Sequence, residues 1–285
     1  MRWGIGRKSS NVEDRRGSSV SPGGLAGGGL GLLVLALVAS LFGVNPSFIL
    51  DQVQQLERPP VTSGPANRPT AENQLAEFVS LVLADTEDTW QDLFKREGLT
   101  YKEPKLVLFT GQIDSACGLG QAAMGPFYCP GDQKVYIDLS FYDDLKQRYQ
   151  APGDFAQAYV IAHEVGHHVQ TLLGISSKVT ALKGRANKVE ANQLSVRQEL
   201  QADCFAGIWA HHADKARQVL EEGDVEEALQ AASSIGDDRL QQQSQGRISP
   251  ESFTHGTSEQ RVRWFKLGLQ EGNLEACNTF AARQL

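Results

Sequence analysis

The sequence predicts an α+β fold, a small antiparallel sheet combined with several helices, behind a single N-terminal transmembrane helix. Residues 25–50 carry no charged side chain and are rich in Leu, Val, Ala and Gly. Two short runs rich in β-branched and aromatic residues, bounded by Pro or Gly, lie at 105–110 and 134–141 and indicate strands. Much of the chain after residue 70 repeats apolar residues at helical spacing, which indicates helices around that sheet.

Length and charge limit the classes of protein to consider. The 285 residues suit one main domain with appendages. The formal net charge is −7, and because residues 1–24 carry +3, the remainder carries −10. An acidic main body argues against nucleic acid as a partner, since phosphate binding depends on Lys and Arg.

The basic N-terminal residues and the apolar run after them predict a membrane anchor. A helix needs about 20 apolar residues to cross a bilayer, and residues 25–46 meet that length. The positive charges before the run, with Asp51 and Glu57 after it, predict a cytosolic N terminus and an extracytoplasmic main body at the inner membrane. A cleaved signal peptide is the alternative, because 36–40 resembles a small-residue cleavage site, but the long polar tail favours an uncleaved anchor. The glycine spacing in this run could pair two such helices weakly.

Four segments follow from this interpretation. Residues 1–24 form a cytosolic basic tail, 25–46 the anchor, 47–70 a Pro-rich linker, and 71–285 the main domain.

The first element of the main domain is a long helix that Thr70 caps and Gly98 ends. One face carries an apolar stripe, and the opposite face carries four acidic residues, Glu72, Glu77, Glu87 and Asp88. We interpret it as a helix that covers the core and takes no part in chemistry.

A segment of small residues lies between the two predicted strands. Its centre is Ala123, and Gly125-Pro126 ends it. That composition predicts an edge strand with a bare outer side, to which an extended peptide could add by backbone hydrogen bonds. An ordinary hairpin edge fits the segment equally well.

The next helix contains an H-E-x-x-H motif. It begins at Asp154, stops near Gly174 and includes His163, Glu164 and His167. Imidazoles four residues apart share a helix face, so both can reach one metal ion. Glu164 lies ~100° further round, where it can touch a metal-bound water without displacing it. This pattern predicts a zinc hydrolase, and a helix with two surface histidines is the alternative.

A catalytic zinc site needs a third protein ligand. A second helix over about 194–216 carries Glu199 and Asp203 on one face, among apolar neighbours that disfavour a solvated acidic surface. We predict Glu199 as the ligand, and Asp203 as the acceptor of the second ring N–H of a zinc-bound histidine.

The remaining chain predicts three further elements. Asp224 caps a third helix, residues 236–256 lack periodicity and indicate a long surface loop, and the capping box at 257–260 opens a last helix that ends at Gly272.

Four cysteines allow three pairings, and an even number in an extracytoplasmic domain favours disulfides. Cys117 with Cys129 would clamp the predicted edge strand. Cys204 with Cys277 would tie the Asp203 helix to the C-terminal segment. Cys204 as a zinc thiolate is the alternative, which would leave the two carboxylates of that helix unpaired.

These motifs resemble known families. H-E-x-x-H followed by E-x-x-x-D is similar to the gluzincin branch of zinc metallopeptidases, and 255–261 resembles the H-x-x-x-x-x-R segment of the CAAX-prenyl-protease type. Nearly the full chain resembles the YpfJ-like neutral zinc metallopeptidases, through 11–16, the single span, 124–130 and 163–168. The resemblance implies a zincin-like fold and peptidase chemistry, but no substrate.

The resemblance also implies roles for individual residues. His163, His167 and Glu199 would bind one zinc ion per chain, with Glu164 as the general base.

Two further residues are assigned a role through the resemblance alone. His255 would stabilise the oxyanion, and Arg261 would orient the loop or the substrate.

The predicted function is therefore a membrane-anchored zinc endopeptidase that acts on a peptide or protein substrate. The alternative is a zinc-stabilised, non-catalytic extracytoplasmic binding or scaffold module. Glu164 favours the peptidase, because a protein that binds zinc without catalysing a reaction has no need for that carboxylate beside the metal.

Overall fold

A computed structural model gives the fold and describes residues 1–4, 6–17 and 70–285. The helices are α1 (Thr70–Arg96), α2 (Phe141–Gln147), α3 (Asp154–Leu172), α4 (Ile175–Lys183), α5 (Lys188–Arg217), α6 (Asp224–Ser234), α7 (Asp237–Gln245) and α8 (Ser258–Glu271). The strands are β1 (Val12–Asp14), β2 (Lys105–Phe109), β3 (Gln112–Ser115), β4 (Gly118–Gln121), β5 (Phe127–Cys129) and β6 (Lys134–Asp138).

The main sheet has the order β1-β2-β6-β5 and is mixed. Strands β1 and β2, and β2 and β6, run parallel, whereas β5 runs antiparallel to β6. Strands β3 and β4 form a separate antiparallel hairpin. The α+β class is confirmed, but the prediction of an antiparallel sheet is wrong. Strand β2 is buried from Leu106 to Phe109 without alternation, which is typical of a parallel strand covered on both faces.

Helix α3 lies in the core with α5 packed against it, and α8 packs on α5. A helix that is apolar on most sides is buried, and the residues of α3 from Ala158 to Gly166 are all buried. Helices α5 and α8 approach each other at Gly207 and Gly268, where a Cβ added to Gly268 would lie 1.9 Å from the Cys204 carbonyl oxygen. This close approach places Arg261 of α8 against Asp203 of α5.

The N-terminal residues join the same compact unit as the chain from Thr70 onward. This differs from the expected cytosolic tail over 1–24. The α-amino group of Met1 lies 2.6 Å from Asp154, at the start of α3, and Val12–Asp14 extend the sheet as β1.

The physical reason is charge pairing with the acidic face of α1. Arg7 contacts Glu87 and Asp88, Lys8 contacts Glu77, and Arg16 contacts Glu72, at N–O distances between 2.7 and 3.2 Å. The basic residues therefore serve as partners for a helix that lies more than 50 residues further along the chain.

The predicted membrane anchor is corrected. Among the residues that the structure describes, no helix is both long and apolar enough to cross a membrane. The anchor over 25–46, the glycines expected to pair two anchors, and the linker up to residue 69 lie outside the described residues. The predictions of a fold with a single span and of a single-pass placement at the inner membrane are wrong, because β1 and β2, which would lie on opposite sides of the bilayer, pair in one sheet.

Two local predictions also differ from the structure. Ala123 lies in a 3₁₀ turn over Ala122–Met124, and the edge strand begins three residues after Met124, at Phe127. The stretch expected as a loop over 236–256 contains α7, because Gln supports a helix well and Gly246 ends it in a left-handed conformation.

Candidate metal centre

Helices α3 and α5 bring His163, His167 and Glu199 together. The Nε2 atoms of His163 and His167 lie 3.3 and 3.4 Å from Glu199 Oε2, and one ligand atom from each of the three residues lies within 4.8 Å of the others. Ligands at ~2.05 Å from a tetrahedral zinc ion stand ~3.35 Å apart. These separations therefore suit a zinc ion.

The charges of these side chains also fit a cation. Burial alone would lower the pKa of His163, but the carboxylates of Asp203 and Glu199 outweigh burial and raise it to about 10. Glu199 likewise raises the pKa of His167 against the effect of burial. Burial opposes ionisation of Glu199, yet the neighbouring His167 and His163 hold its pKa well below the usual range. The carboxylates around the two imidazoles therefore favour a positive charge at this point of the structure.

Glu164 is buried and lines the same cavity as the three candidate ligands. Glu164 makes no hydrogen bond or ion pair with the other residues that the structure describes. Both of its carboxylate oxygens can therefore accept a proton from a molecule in the cavity.

Asp203 is the most heavily bonded side chain near the centre. Its Oδ1 lies 2.8 Å from His163 Nδ1, 2.5 Å from the Tyr159 hydroxyl and 2.9 Å from Arg261 Nη2, and Oδ2 accepts a hydrogen bond from Arg261 Nε at 2.9 Å. An acceptor at Nδ1 leaves Nε2 of His163 for a metal. Sequence reasoning found Asp203 and Arg261 but missed Tyr159, although Tyr159 lies one turn before His163 on the same face.

A different group orients His167. Its Nδ1 donates to Gln170 Oε1 at 2.9 Å, and Gln170 Nε2 donates to the Gln198 carbonyl and to Gln201 Oε1. Gln201 in turn donates to the Cys277 carbonyl at 3.0 Å. Sequence reasoning missed this amide chain, because a glutamine on a helix carries no metal-binding signal of its own.

His255 lies at the cavity and is fixed by Asp237. Its Nδ1 is 3.1 Å from Asp237 Oδ1, and Asp237 Oδ2 accepts from the backbone N–H groups of Thr254, His255 and Gly256. The hydrogen bond to Asp237 raises the pKa of His255. Asp237 was missed because it falls in the stretch interpreted as a loop.

The cavity beside these groups has a volume of about 390 Å³. Its polar side holds the candidate ligands, Glu164, His255 and Arg261. Its apolar side is formed by Met124, Phe141, Tyr149, Val160, Ile235 and Leu240. A cavity of this size and mixed character suits part of a peptide better than a small polar ion.

Strand β5 forms one wall of the cavity and is one of the two outer strands of the main sheet. The structure contains the disulfide Cys117–Cys129, which joins the end of β5 to the β3–β4 hairpin. A second disulfide, Cys204–Cys277, joins α5 to the C-terminal segment. The alternative of a Cys204 zinc thiolate is thereby excluded.

Comparison with known proteins finds a family match over nearly the whole chain. The family model described as "Putative neutral zinc metallopeptidase" matches residues 1–280. The chain is 55% identical to YpfJ of Escherichia coli K12 over 290 residues, which cover 98% of this chain and 99% of YpfJ. It is 38% identical to Rv2575 of Mycobacterium tuberculosis H37Rv over 259 residues, which cover 87% of this chain and 86% of that protein. No solved structure matches the chain. The family resemblance inferred from the motifs is confirmed.

Proposed function

Because the chain belongs to the neutral zinc metallopeptidase family, we propose that it is a zinc-dependent endopeptidase with Glu164 as its general base. One observation carries the proposal. His163, His167 and Glu199 converge at zinc-like spacing on a peptide-sized cavity, and a carboxylate without a protein partner among the described residues lies beside them.

The three converging side chains would hold one zinc ion per chain. Bound there, zinc polarises the substrate carbonyl and lowers the pKa of the attacking water. Asp203, fully buried, holds His163 with Nε2 toward the centre, and Gln170 does the same for His167. The two imidazoles are therefore oriented before the ion binds.

Glu164 moves the proton. It accepts a proton from the attacking water and returns it to the leaving amine, the usual role of a carboxylate in general acid–base catalysis. Its oxygens are available because no described side chain donates to them.

His255 stabilises the developing negative charge. Its Nδ1–H is engaged by Asp237, so the opposite edge of the ring is left to face the cavity. The raised pKa favours the cationic ring, which is the stronger donor to an oxyanion. Arg261 acts on the centre indirectly, because its guanidinium is occupied by Asp203.

The substrate lies along β5. In an antiparallel pair of strands, the N–H and C=O of one residue both point to the partner strand, and those of the next residue both point away from it. Pro126 has no N–H to donate to β6, so Pro126 and Tyr128 fit the positions that point away from β6. Phe127 and Cys129 then fit the positions that hydrogen-bond to β6. The N–H and C=O of Tyr128 therefore lie on the open side of β5. An extended internal segment of a protein can add to such an edge, which favours an endopeptidase.

The test compares Glu164→Gln with Glu222→Gln, an exposed carboxylate in the turn before α6. We expect Glu164→Gln to keep its zinc and lose peptide cleavage by about 100-fold or more. Glu222→Gln should resemble the parent in both measurements. If Glu164→Gln cleaves peptides as fast as the parent while Glu199→Gln loses metal, the zinc is structural and the chain is a binding or scaffold module.

A further inference from the structure

His168 follows directly on the second histidine of the motif but faces away from the candidate metal centre. Its side chain is fully buried, with Nε2 2.6 Å from the Lys102 carbonyl oxygen and Nδ1 3.0 Å from the Tyr128 hydroxyl. The ring packs edge-on against Tyr101 and Tyr128, with centroid distances of 5.8 and 5.5 Å. Sequence reasoning gave this residue no role.

The two hydrogen bonds fix which atom of His168 carries the proton. A carbonyl oxygen only accepts, so Nε2 must be the protonated nitrogen in the neutral ring. Nδ1 is then an acceptor, and the Tyr128 hydroxyl must donate to it. The ring is fully buried and neither hydrogen-bond partner carries a charge, which favours the neutral form. The bond from Tyr128 to His168 therefore has one direction and one geometry.

This bond connects two parts of the proposed active site. Tyr128 is the middle residue of β5 and lines the cavity. His168 belongs to α3, which carries His163, Glu164 and His167. Strand β5 lies at the edge of the sheet and has a neighbouring strand on one side only, so its contacts with α3 help to set how far its open side stands from the metal ligands.

We propose that His168 is a positioning residue for substrate binding. Through its hydrogen bond with the Tyr128 hydroxyl, it sets the distance between the peptide-binding edge of β5 and helix α3, which carries the candidate zinc ligands His163 and His167. The inference rests on the proposed function. A peptide hydrogen-bonded to Tyr128 is thereby held with its scissile bond beside Glu164, which takes the proton of the attacking water and passes it to the leaving amine. Loss of the bond should weaken peptide binding and leave the zinc ligands, which are oriented by Asp203 and Gln170, unchanged.

The test uses the zinc-loaded full chain with the substitutions Tyr128→Phe, His168→Leu, both together, and His168→Gln. The matched control is Tyr136→Phe, which removes the same hydroxyl from the neighbouring strand, where it donates to Asp132 at 2.7 Å. Measurements are zinc content, KM and kcat on one fluorogenic peptide that the parent cleaves, and hydrogen exchange of the β5 amides.

Tyr128→Phe and His168→Leu should each raise KM by about 3- to 10-fold, the ratio expected for one ordinary hydrogen bond. Values of kcat and zinc content should stay within about twofold of the parent, because the hydrogen bonds that orient the zinc ligands are not touched. The double variant should be no worse than either single one, since both remove the same bond. His168→Gln keeps a donor and an acceptor and should recover most of the parent KM.

Three results would overturn the proposal: unchanged KM in both single variants, additive effects in the double variant, or an equal rise in KM for Tyr136→Phe. If the parent cleaves no peptide, the proposed function fails by itself. Hydrogen exchange then decides the positioning role. Faster exchange at Phe127 and Cys129 in His168→Leu, but not in Tyr136→Phe, would support it, and equal exchange would refute it.

Discussion

Substitution of Asp203 by Asn should separate orientation of the metal ligand from general stability. The carboxylate is fully buried and accepts from Tyr159, from His163 and twice from Arg261. Asparagine offers one acceptor oxygen and one NH₂ group, so at least one of these donors would face another donor. Either Arg261 loses its buried partner or His163 loses the acceptor that holds its ring.

Both effects have typical magnitudes. Loss of an outer partner of a metal-binding histidine costs about 10- to 100-fold in metal affinity. Breaking a buried ion pair lowers the free energy of unfolding by about 3–5 kcal/mol. Zinc affinity can be measured by competition with a chromophoric chelator, and the free energy of unfolding of the metal-free chain by urea titration.

Asp85→Asn is the matched control for this prediction. Asp85 also pairs with an arginine, here Arg217 of α5, accepting from its Nη2 at 2.8 Å and from Trp209 Nε1 at 2.7 Å, but it touches none of the candidate ligands. It should lower the stability and leave zinc affinity as in the parent. An Asp203→Asn variant with zinc affinity within about twofold of the parent would refute the assigned role of Asp203.

The remaining predictions concern pH and the His255 loop. Zinc must displace protons from His163, whose pKa is raised to about 10, and from His167, so the apparent zinc affinity should rise between pH 6 and 9 by up to about tenfold per pH unit for each proton released; a flat profile in chelator competition would contradict this. The raised pKa values stabilise the metal-free fold fully below pH ~6.5 and lose that effect as pH rises toward 10, so thermal unfolding should show Tm falling from pH 7 to 9 without zinc. Asp237→Asn weakens the hold on His255 and should lower kcat about tenfold with zinc content unchanged, whereas Asp238→Asn, which removes a partner of Ser258, should leave kcat near that of the parent.

The candidate metal centre could be predicted from the sequence because its parts follow from local geometry. H-E-x-x-H and the pair Glu199 and Asp203 are each spaced by one helical turn, and such spacing fixes a shared face in any helix. Tyr159 obeys the same rule, but a tyrosine among apolar residues resembles ordinary core. Asp237 acts through a contact with a loop 18 residues further along the chain, which no local pattern encodes. Gln170 lies within one turn of His167, but a glutamine on a helix carries no metal-binding signal.

The N-terminal segment shows why charge patterns misled the prediction. Five basic residues before an apolar run are typical of a membrane-flanking tail. The same residues also complement the acidic face of α1, and Arg7 and Lys8 form ion pairs there. Composition does not distinguish these arrangements, because a charge has the same sign in a solvated tail and in an ion pair.

The parallel pairing of β2 and β6 could have been predicted from the sequence, since neither strand alternates polar and apolar residues.

The central claim is that His163, His167 and Glu199 hold one zinc ion. Anomalous diffraction at the zinc edge, from crystals grown with one equivalent of zinc, tests it most directly. We expect a single peak at ~2.0–2.2 Å from Nε2 of both histidines and from a Glu199 carboxylate oxygen. A peak elsewhere, or none at these three side chains in crystals that contain zinc, would contradict it.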